Sequence, residues 1–480
     1  MRIQYTIHLI GIFIFFLGLI MIVPLLVSLL YNDGSHLAFI KAILITTLSG
    51  LIIYFVFKGE NTGLSHREGM AIVGIGWIVA GLFGSLPYIF GGIFDSFINA
   101  FFESVSGFTT TGATVLKDVE SVPYGILFWR GLTQWLGGMG IIVLSIAILP
   151  FLGVGGMQLY KAEAPTPIVD KLKPRISETA KILWKVYVLI SALEVVLLLL
   201  GGMKPFDALC HTFTTMATGG FSTKNGSIGQ YNSIYFDIVI PFFMLLAGIN
   251  FSLHYQFLRG NIRGFFKNPE LKFFMALVSI FIVLVTLNIN SQFDNIFKSL
   301  RYGAFQVCSI ITTTGYTTAD FEKWPDFSKI ILLVCMFLGA SAGSTGGGIK
   351  CLRIMLLLKH SYQEVFKIIH PHAITQLKLG KKPVPSDVMN SIGGFFILYM
   401  MLFIVSSILL SAMGMDLITS VAAVAATIGN VGPGLGMVGP TQNYDMIPYF
   451  GKWLLIMCML LGRLEIYTIM TLFTPEYWKK

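Results

Sequence analysis

The sequence predicts an all-α polytopic membrane protein: four pseudo-fourfold helix–pore loop–helix repeats behind an extra N-terminal helical pair, with ten spanning helices. Three observations carry the prediction. Hydrophobic residues make up 55% of the 480 residues and charged residues only 12%, about half the usual charged share of ~25%. Charge-free runs recur at the length of a bilayer crossing. Four shorter apolar stretches, too brief to cross, each end in a glycine-containing motif, and the four motifs resemble one another.

The same inventory excludes other classes. Forty Phe and 21 Met in charge-free runs leave no material for a water-soluble surface. The net charge of +9 comes from residues lying between apolar runs, whereas a nucleic-acid groove needs clustered charge on a soluble face. No nucleic-acid partner is expected, and membrane lipid surrounds the chain instead. Cys210, Cys308, Cys335, Cys351 and Cys458 are odd in number and lack CxxC spacing, so they read as reduced, packed thiols. A membrane enzyme would need clustered carboxylates, histidines or an activated nucleophile. None is present, so no enzymatic activity and no bound cofactor is expected.

In chain order, the charge-free candidates are Ile3–Asn32, Met70–Phe94, Gly131–Tyr160, Ile238–Leu258, Phe273–Phe293, Ile330–Ile349 and Val388–Met415. Ala42–Phe57 is short, Val186–Met203 contains Glu194, and Gly451–Phe473 is interrupted by Arg463 and Glu465. The first run is too long for a signal peptide and lacks a cleavage site, so it reads as a retained helix. Ten spans put both termini on one side. With the N-terminus inside, the inner segments hold 22 Lys and Arg and the outer segments ten, which predicts cytoplasmic termini.

The four short stretches are Phe97–Phe108, Ala208–Ala217, Gly303–Thr313 and Leu417–Ile428, all on the outer side. Runs of about 10–14 residues suit re-entrant segments. Their motifs are Thr110-Thr111-Gly112-Ala113, Ala217-Thr218-Gly219-Gly220, Thr313-Thr314-Gly315-Tyr316 and Asn430-Val431-Gly432-Pro433. The central glycines lie 107, 96 and 117 residues apart. This spacing divides the chain into a helical pair (1–66) and pore repeats at 67–178, 179–268, 269–383 and 384–480. The fourth copy has Asn-Val in place of Thr-Thr, so Gly432 rests on its repeat position and Gly429 competes for that site.

A dehydrating monovalent cation needs protein oxygens, and rings of backbone carbonyls supply them. Glycine reaches the backbone conformations that aim such carbonyls inward. Threonine adds hydroxyl oxygens, and each pore helix offers the negative end of its dipole to the cavity. No motif core contains Asp or Glu, which favours a monovalent ion over a divalent one.

These motifs, above all Gly429-Asn430-Val431-Gly432-Pro433-Gly434-Leu435-Gly436, resemble those of the TrkH/KtrB/HKT superfamily of potassium transporters. The N-terminal pair and the Pro433-Gly434 variant make the chain most similar to the bacterial TrkH family, over essentially its whole length. The resemblance implies potassium uptake across the bacterial inner membrane, K+ bound at the sixteen motif residues, and a homodimer. It also implies a cytosolic TrkA-like partner of the RCK nucleotide-binding type. Glycine at the first filter position goes with potassium selectivity in that superfamily, and this chain has Gly112, Gly219, Gly315 and Gly432. A symporter coupling potassium to protons or sodium is the alternative function, although such transporters usually show two repeats rather than four.

The eighth span carries Gly339-Ala340-Ser341-Ala342-Gly343-Ser344-Thr345-Gly346-Gly347-Gly348. Each interior glycine costs a helix about 1 kcal/mol relative to alanine, so the span should break into a cavity-lining loop. A phosphate loop is excluded because Ile349 precedes Lys350 and no Ser or Thr follows. The resemblance implies that this loop obstructs the pore. The predicted gate is Gly343, Ser344, Thr345, Gly346, Gly347, Gly348 and Lys350, together with Arg463. Arg463 is an intramembrane charge that shares no helix face with Glu465 two residues on. Glu103 and Glu194 read as structural partners of hydroxyls or amides, His211 carries no metal role, and Asp445 is a candidate cation attractor at the mouth. Lys378, Lys381 and Lys382, on the inner connection after the glycine loop, are the predicted route of control by the partner.

Overall fold

The structure is a computed structural model, and it describes residues 2–57, 66–140, 176–373, 375–380, 382–464 and 466–478. Among these, six helices are long and apolar enough to cross a bilayer: Ile3–Tyr31, His36–Val56, Arg67–Phe90, Ala180–Leu200, Pro269–Gln292 and Ser386–Ala412. A seventh crossing bends by 101° where Ile234–Gly248 gives way to Phe251–Leu258. Asn250 causes that break to be stable, since its side chain caps the second half by accepting from Ser252 N at 2.8 Å.

The three other expected spans are not continuous helices. Ile330–Ile349 is helical only as far as Phe337, and helix resumes at Cys351–Ile369. The last span stops at Arg463 and resumes as Ile466–Leu472; Glu465 lies outside the described residues. In the first repeat, helix Tyr124–Trp135 turns into a π-helical stretch at Leu136–Gly140, and the rest of the expected Gly131–Tyr160 span lies outside the described residues. So do Lys58, the inner cations from Lys161 to Arg175, Lys381, Lys479 and Lys480. Hydropathy windows see composition but not backbone continuity, so a broken crossing and a straight one read alike.

In the N-terminal pair, Ile3–Ile20 packs on His36–Val56 through small residues. A Cβ at Gly50 would come within 2.5 Å of Phe15 N, and one at Gly18 within 2.6 Å of Thr47. Lipid supplies no hydrophobic drive between spans, so such close approach is what holds them.

Four short helices sit inside the bundle: Phe97–Phe108, Pro205–Met216, Ile296–Ile311 and Leu417–Ile428. Each starts on a helix-initiating signal. Ser96, Asn295 and Asp416 cap three of them by accepting from backbone N–H groups, and Pro205 opens the second. The first and fourth match the expected stretches residue for residue; the second and third begin earlier than expected. Their flanks are almost fully buried, because the spans surround them. One core cluster joins the N-terminal pair to the first and fourth repeats, and another joins the third to the fourth.

Candidate functional site

All four pore helices end in the same backbone sequence. After the last helical residue and one capping residue comes a residue in the left-handed region: Thr110 (φ 53°), Thr218 (φ 54°), Thr313 (φ 61°) and Asn430 (φ 54°). Two positions later a glycine is left-handed: Gly112 (φ 79°), Gly220 (φ 74°), Gly315 (φ 82°) and Gly432 (φ 99°). A β-branched threonine resists this region, and each such residue stores about 1–3 kcal/mol of strain that its surroundings must hold. Asparagine tolerates the conformation better than threonine. That suits Asn430 to the place threonine takes in the other three repeats.

This geometry corrects one register. In the second repeat the equivalent of Gly112 is Gly220, and Gly219 stands where Thr111, Thr314 and Val431 stand. Ala217 is the capping residue of its pore helix, so the second motif is Thr218-Gly219-Gly220-Phe221. Two adjacent glycines left the register open in the sequence; the helix end closes it. In the fourth repeat Gly432 takes the left-handed position, while Gly429 caps the pore helix at φ −77°.

The four glycines form a closed cycle. A Cβ on Gly112 would lie 2.0 Å from the Gly219 carbonyl oxygen, and one on Gly220 1.9 Å from that of Thr314. On Gly315 it would lie 2.0 Å from the Val431 oxygen, and on Gly432 2.7 Å from that of Thr111. Each repeat thus lays its glycine against the carbonyl of the next, one to two, two to three, three to four, and four back to one. All four glycines line one outer vestibule with about 100 Å³ of room. Two buried oxygens at the strained position, Thr110 Oγ1 and Asn430 Oδ1, have no hydrogen-bond partner.

Side chains brace the ring from behind. Gln134 Nε2 donates to the Gly219 carbonyl at 2.7 Å, and its Oε1 accepts from Phe221 N at 3.1 Å. Tyr444 donates to the Gly432 carbonyl at 2.6 Å, and Ser309 to that of Tyr316 at 2.7 Å. Glu103 is fully buried and accepts from Thr114 Oγ1 and Val115 N. It also pairs with Arg130 at 2.8 Å, whose guanidinium stacks 4.0 Å over the Phe221 ring. Arg130, one of the Lys and Arg that the sequence places in the outer segments, is 2% exposed inside helix Tyr124–Trp135. Lys452, counted likewise, is buried in helix Tyr449–Arg463 and bonds Asn99 at 2.8 Å.

Beneath the ring lies the glycine loop. Its stems pair in parallel, Leu338 with Ile349 and Gly339 with Lys350, and the residues between them project into the bundle. Gly347 N donates to Thr313 Oγ1 at 2.7 Å, the hydroxyl of a strained ring residue. A Cβ on Gly347 would meet the Gly429 oxygen at 2.4 Å. Thr345 Oγ1 donates to Met216 O at 3.0 Å, at the end of the second pore helix. Arg463 donates to Thr345 O at 2.7 Å and to Gly137 O at 2.8 Å, and Lys350 Nζ donates to Gly346 O. The loop therefore touches repeats two, three and four directly and repeat one through Arg463. Arg463 points into the loop, not towards the membrane surface.

The remaining candidates separate. His211 has both ring nitrogens engaged, by Asp207 O at 2.8 Å and Ser222 Oγ at 3.0 Å. Asp445 is bound to Lys117 at 2.9 Å and faces Lys452 at 3.8 Å. Its hydrogen bond holds the Lys117 ammonium above the usual lysine range. Asp445 is thus a committed ion-pair partner and not a free attractor. Glu194 is fully buried, and the Thr215 hydroxyl is the polar group that faces its carboxylate.

A family model described as TrkH, cation transport protein, matches residues 35–480. The chain belongs to the TrkH family. It is 42% identical over 478 residues to the Trk system potassium uptake protein TrkH of Salmonella typhimurium, covering 98% of this chain and 99% of that one. It is 36% identical to the TrkG protein of Escherichia coli K12, covering 100% and 99%. The crystal structure of the potassium transporter TrkH from Vibrio parahaemolyticus superposes with a TM-score of 0.90 at 38% identity, over 100% of both chains.

In this TrkH-family chain, sequence reading passed over Gln134, Tyr444 and the Arg130–Glu103 pair. Gln134 had a signal, being an uncompensated amide in a long apolar run. Tyr444 had none, since it reaches the ring only through the fold.

Proposed function

We propose that this chain takes up potassium across the bacterial inner membrane through the axis of the four-repeat ring. The closed cycle of left-handed glycines and neighbouring carbonyls is the observation that carries this reading. It sets strained, carbonyl-rich backbone around one axis at membrane depth, where bare backbone is tolerated only if it is buried or lines a cavity. The potassium ion, the transported substrate, exchanges hydration oxygens for carbonyls of Thr110–Ala113, Thr218–Phe221, Thr313–Tyr316 and Asn430–Pro433. The hydroxyl and amide oxygens of Thr110 and Asn430 add to that set. The absence of carboxylates in the ring suits a monovalent ion.

The glycine loop is the gate. It lies under the ring, and two cationic groups, Lys350 and Arg463, bond its carbonyls and repel a cation in the closed pore. The relatives' name, Trk system, supports a multi-part assembly, and the motif resemblance implies its form: a homodimer of this chain with a cytosolic TrkA-like nucleotide-binding partner. The excess of inner Lys and Arg supports cytoplasmic termini. Purified chain in a planar bilayer tests the reading. Potassium events far above ~10³ ions per second, beyond ordinary enzymatic turnover, with sodium conducted much less, are expected. Equal conduction of both ions would overturn the filter, and only slow, stoichiometric flux would overturn the open pore.

A further inference from the structure

We infer that Glu270 is a positioning residue that clamps both stems of the glycine loop and ties them to the inner connection Arg259–Lys272. The inference rests on reading that loop as the gate. Glu270 is buried, and its Oε1 accepts from Ala342 N at 2.6 Å. The Leu352 amide and the Lys350 ammonium face the same carboxylate. Ala342 directly precedes the Gly343–Gly348 segment and Leu352 follows it, so one side chain bridges the two ends of the loop. Buried carboxylates are stable only when such donors satisfy them, so opening that parts the stems must strip Glu270 of these bonds.

The position of Glu270 in the chain gives the clamp a handle. It is the second residue of helix Pro269–Ile289, whose cap is Asn268 accepting from Leu271 N at 3.0 Å. Immediately before it, Ile262–Lys267 forms a short helix capped by Asn261 at Gly264 N, also at 3.0 Å. That segment buries no residue and carries Arg263 and Lys267. Two consecutive caps leave little slack, so a displacement of the basic segment is passed to the carboxylate three residues after its end. The inner connection that continues from the loop to Lys378, Lys381 and Lys382 therefore has a second route beside it.

Potassium flux from the full chain in liposomes tests this, with the Gly343–Gly348 deletion as reference. Glu270→Ala should raise basal flux roughly tenfold, the scale of one lost charge-assisted hydrogen bond. Glu270→Gln should raise it less, because its amide oxygen still accepts from Ala342 N. In the deletion background Glu270→Ala should add nothing, a result that a merely structural role would not give. A leaky deletion beside a folded Glu270→Ala variant with wild-type flux would overturn the clamp and leave the gate standing. A deletion that does not leak would overturn the gate and the clamp with it. Should Glu270→Ala fail to fold, Glu270→Gln carries the test through a Ser344→Cys thiol, since the five native cysteines are buried. Faster modification in the Gln background supports the clamp, and an unchanged rate overturns it.

Discussion

Three threonines and an asparagine held left-handed gather backbone strain around one ring. Each sits two residues before a glycine whose missing Cβ makes room for a neighbour's carbonyl. The register in the second repeat gives a sharp test. Gly220→Ala places a methyl 1.9 Å from the Thr314 oxygen at φ 74°, so potassium selectivity should collapse and the protein should lose stability. Gly219→Ala would press first on the Gln134 side chain, 2.4 Å away, and on no neighbouring backbone carbonyl; it would displace that brace without a collision between backbones, so its effect should be milder. Bi-ionic potentials and thermal unfolding in detergent measure both, and the reverse order would restore the sequence-derived register. Gly315→Ser faces the Val431 oxygen at 2.0 Å and should resemble Gly220→Ala. Behind the ring, Glu103→Gln leaves Arg130 buried without its counter-charge. Breaking such a pair costs about 3–5 kcal/mol, readable as a lowered unfolding temperature. A double Glu103→Gln, Arg130→Met variant should recover part of that loss.

At the scale of elements, the broken crossings are the feature that distinguishes this bundle from ten plain helices. A break exposes backbone groups that the bilayer cannot satisfy, and those in repeats two and three find their partners inside. Ser341 N donates to Gly248 O at 3.0 Å, and Phe251 N to Gly343 O at 3.1 Å, so the break in repeat two and the loop in repeat three satisfy each other. Deleting Gly343–Gly348 should therefore leave a folded protein that conducts more potassium with selectivity largely kept, because the ring lies elsewhere. Unchanged or lower flux from a folded deletion would remove the loop from the gate. Arg463→Ala should act in the same direction but more weakly, since it frees Thr345 O without removing backbone.

For the whole molecule, four repeats meeting in one cycle mean that a change under one repeat reaches the others through a single loop. Under the proposed control from the cytosol, the partner acts through an inner connection and shifts the proposed gate only by binding its open and closed forms differently. Reversing the charges of Lys378, Lys381 and Lys382 together should weaken partner binding or the nucleotide response of flux. Normal assembly and a normal response would move control to another connection, and the segment before Glu270 is the next to test.

The class of the molecule, the four short pore helices and the Thr-Gly motifs were all legible in the sequence. Composition and local periodicity determine which segments enter a bilayer, and glycine marks where backbone must turn sharply. The glycine loop was legible for the same reason: a run that weakens its own helix needs no tertiary contact to announce a break. Other features lay beyond any local pattern. Whether Gly219 or Gly220 joins the ring depends on where the preceding helix stops against its neighbours. Arg130, which looks like one more outer cation, is buried because Glu103 waits 27 residues upstream. Asp445 resembles an attractor until Lys117 is placed beside it, and Glu270 gains its meaning only when the loop folds onto it from 72 residues away. Segments, sides and turns follow from the energetics of each stretch against lipid and water, which the sequence itself encodes. Registers, ion pairs and clamps follow from contacts between distant stretches, and only the tertiary structure decides those.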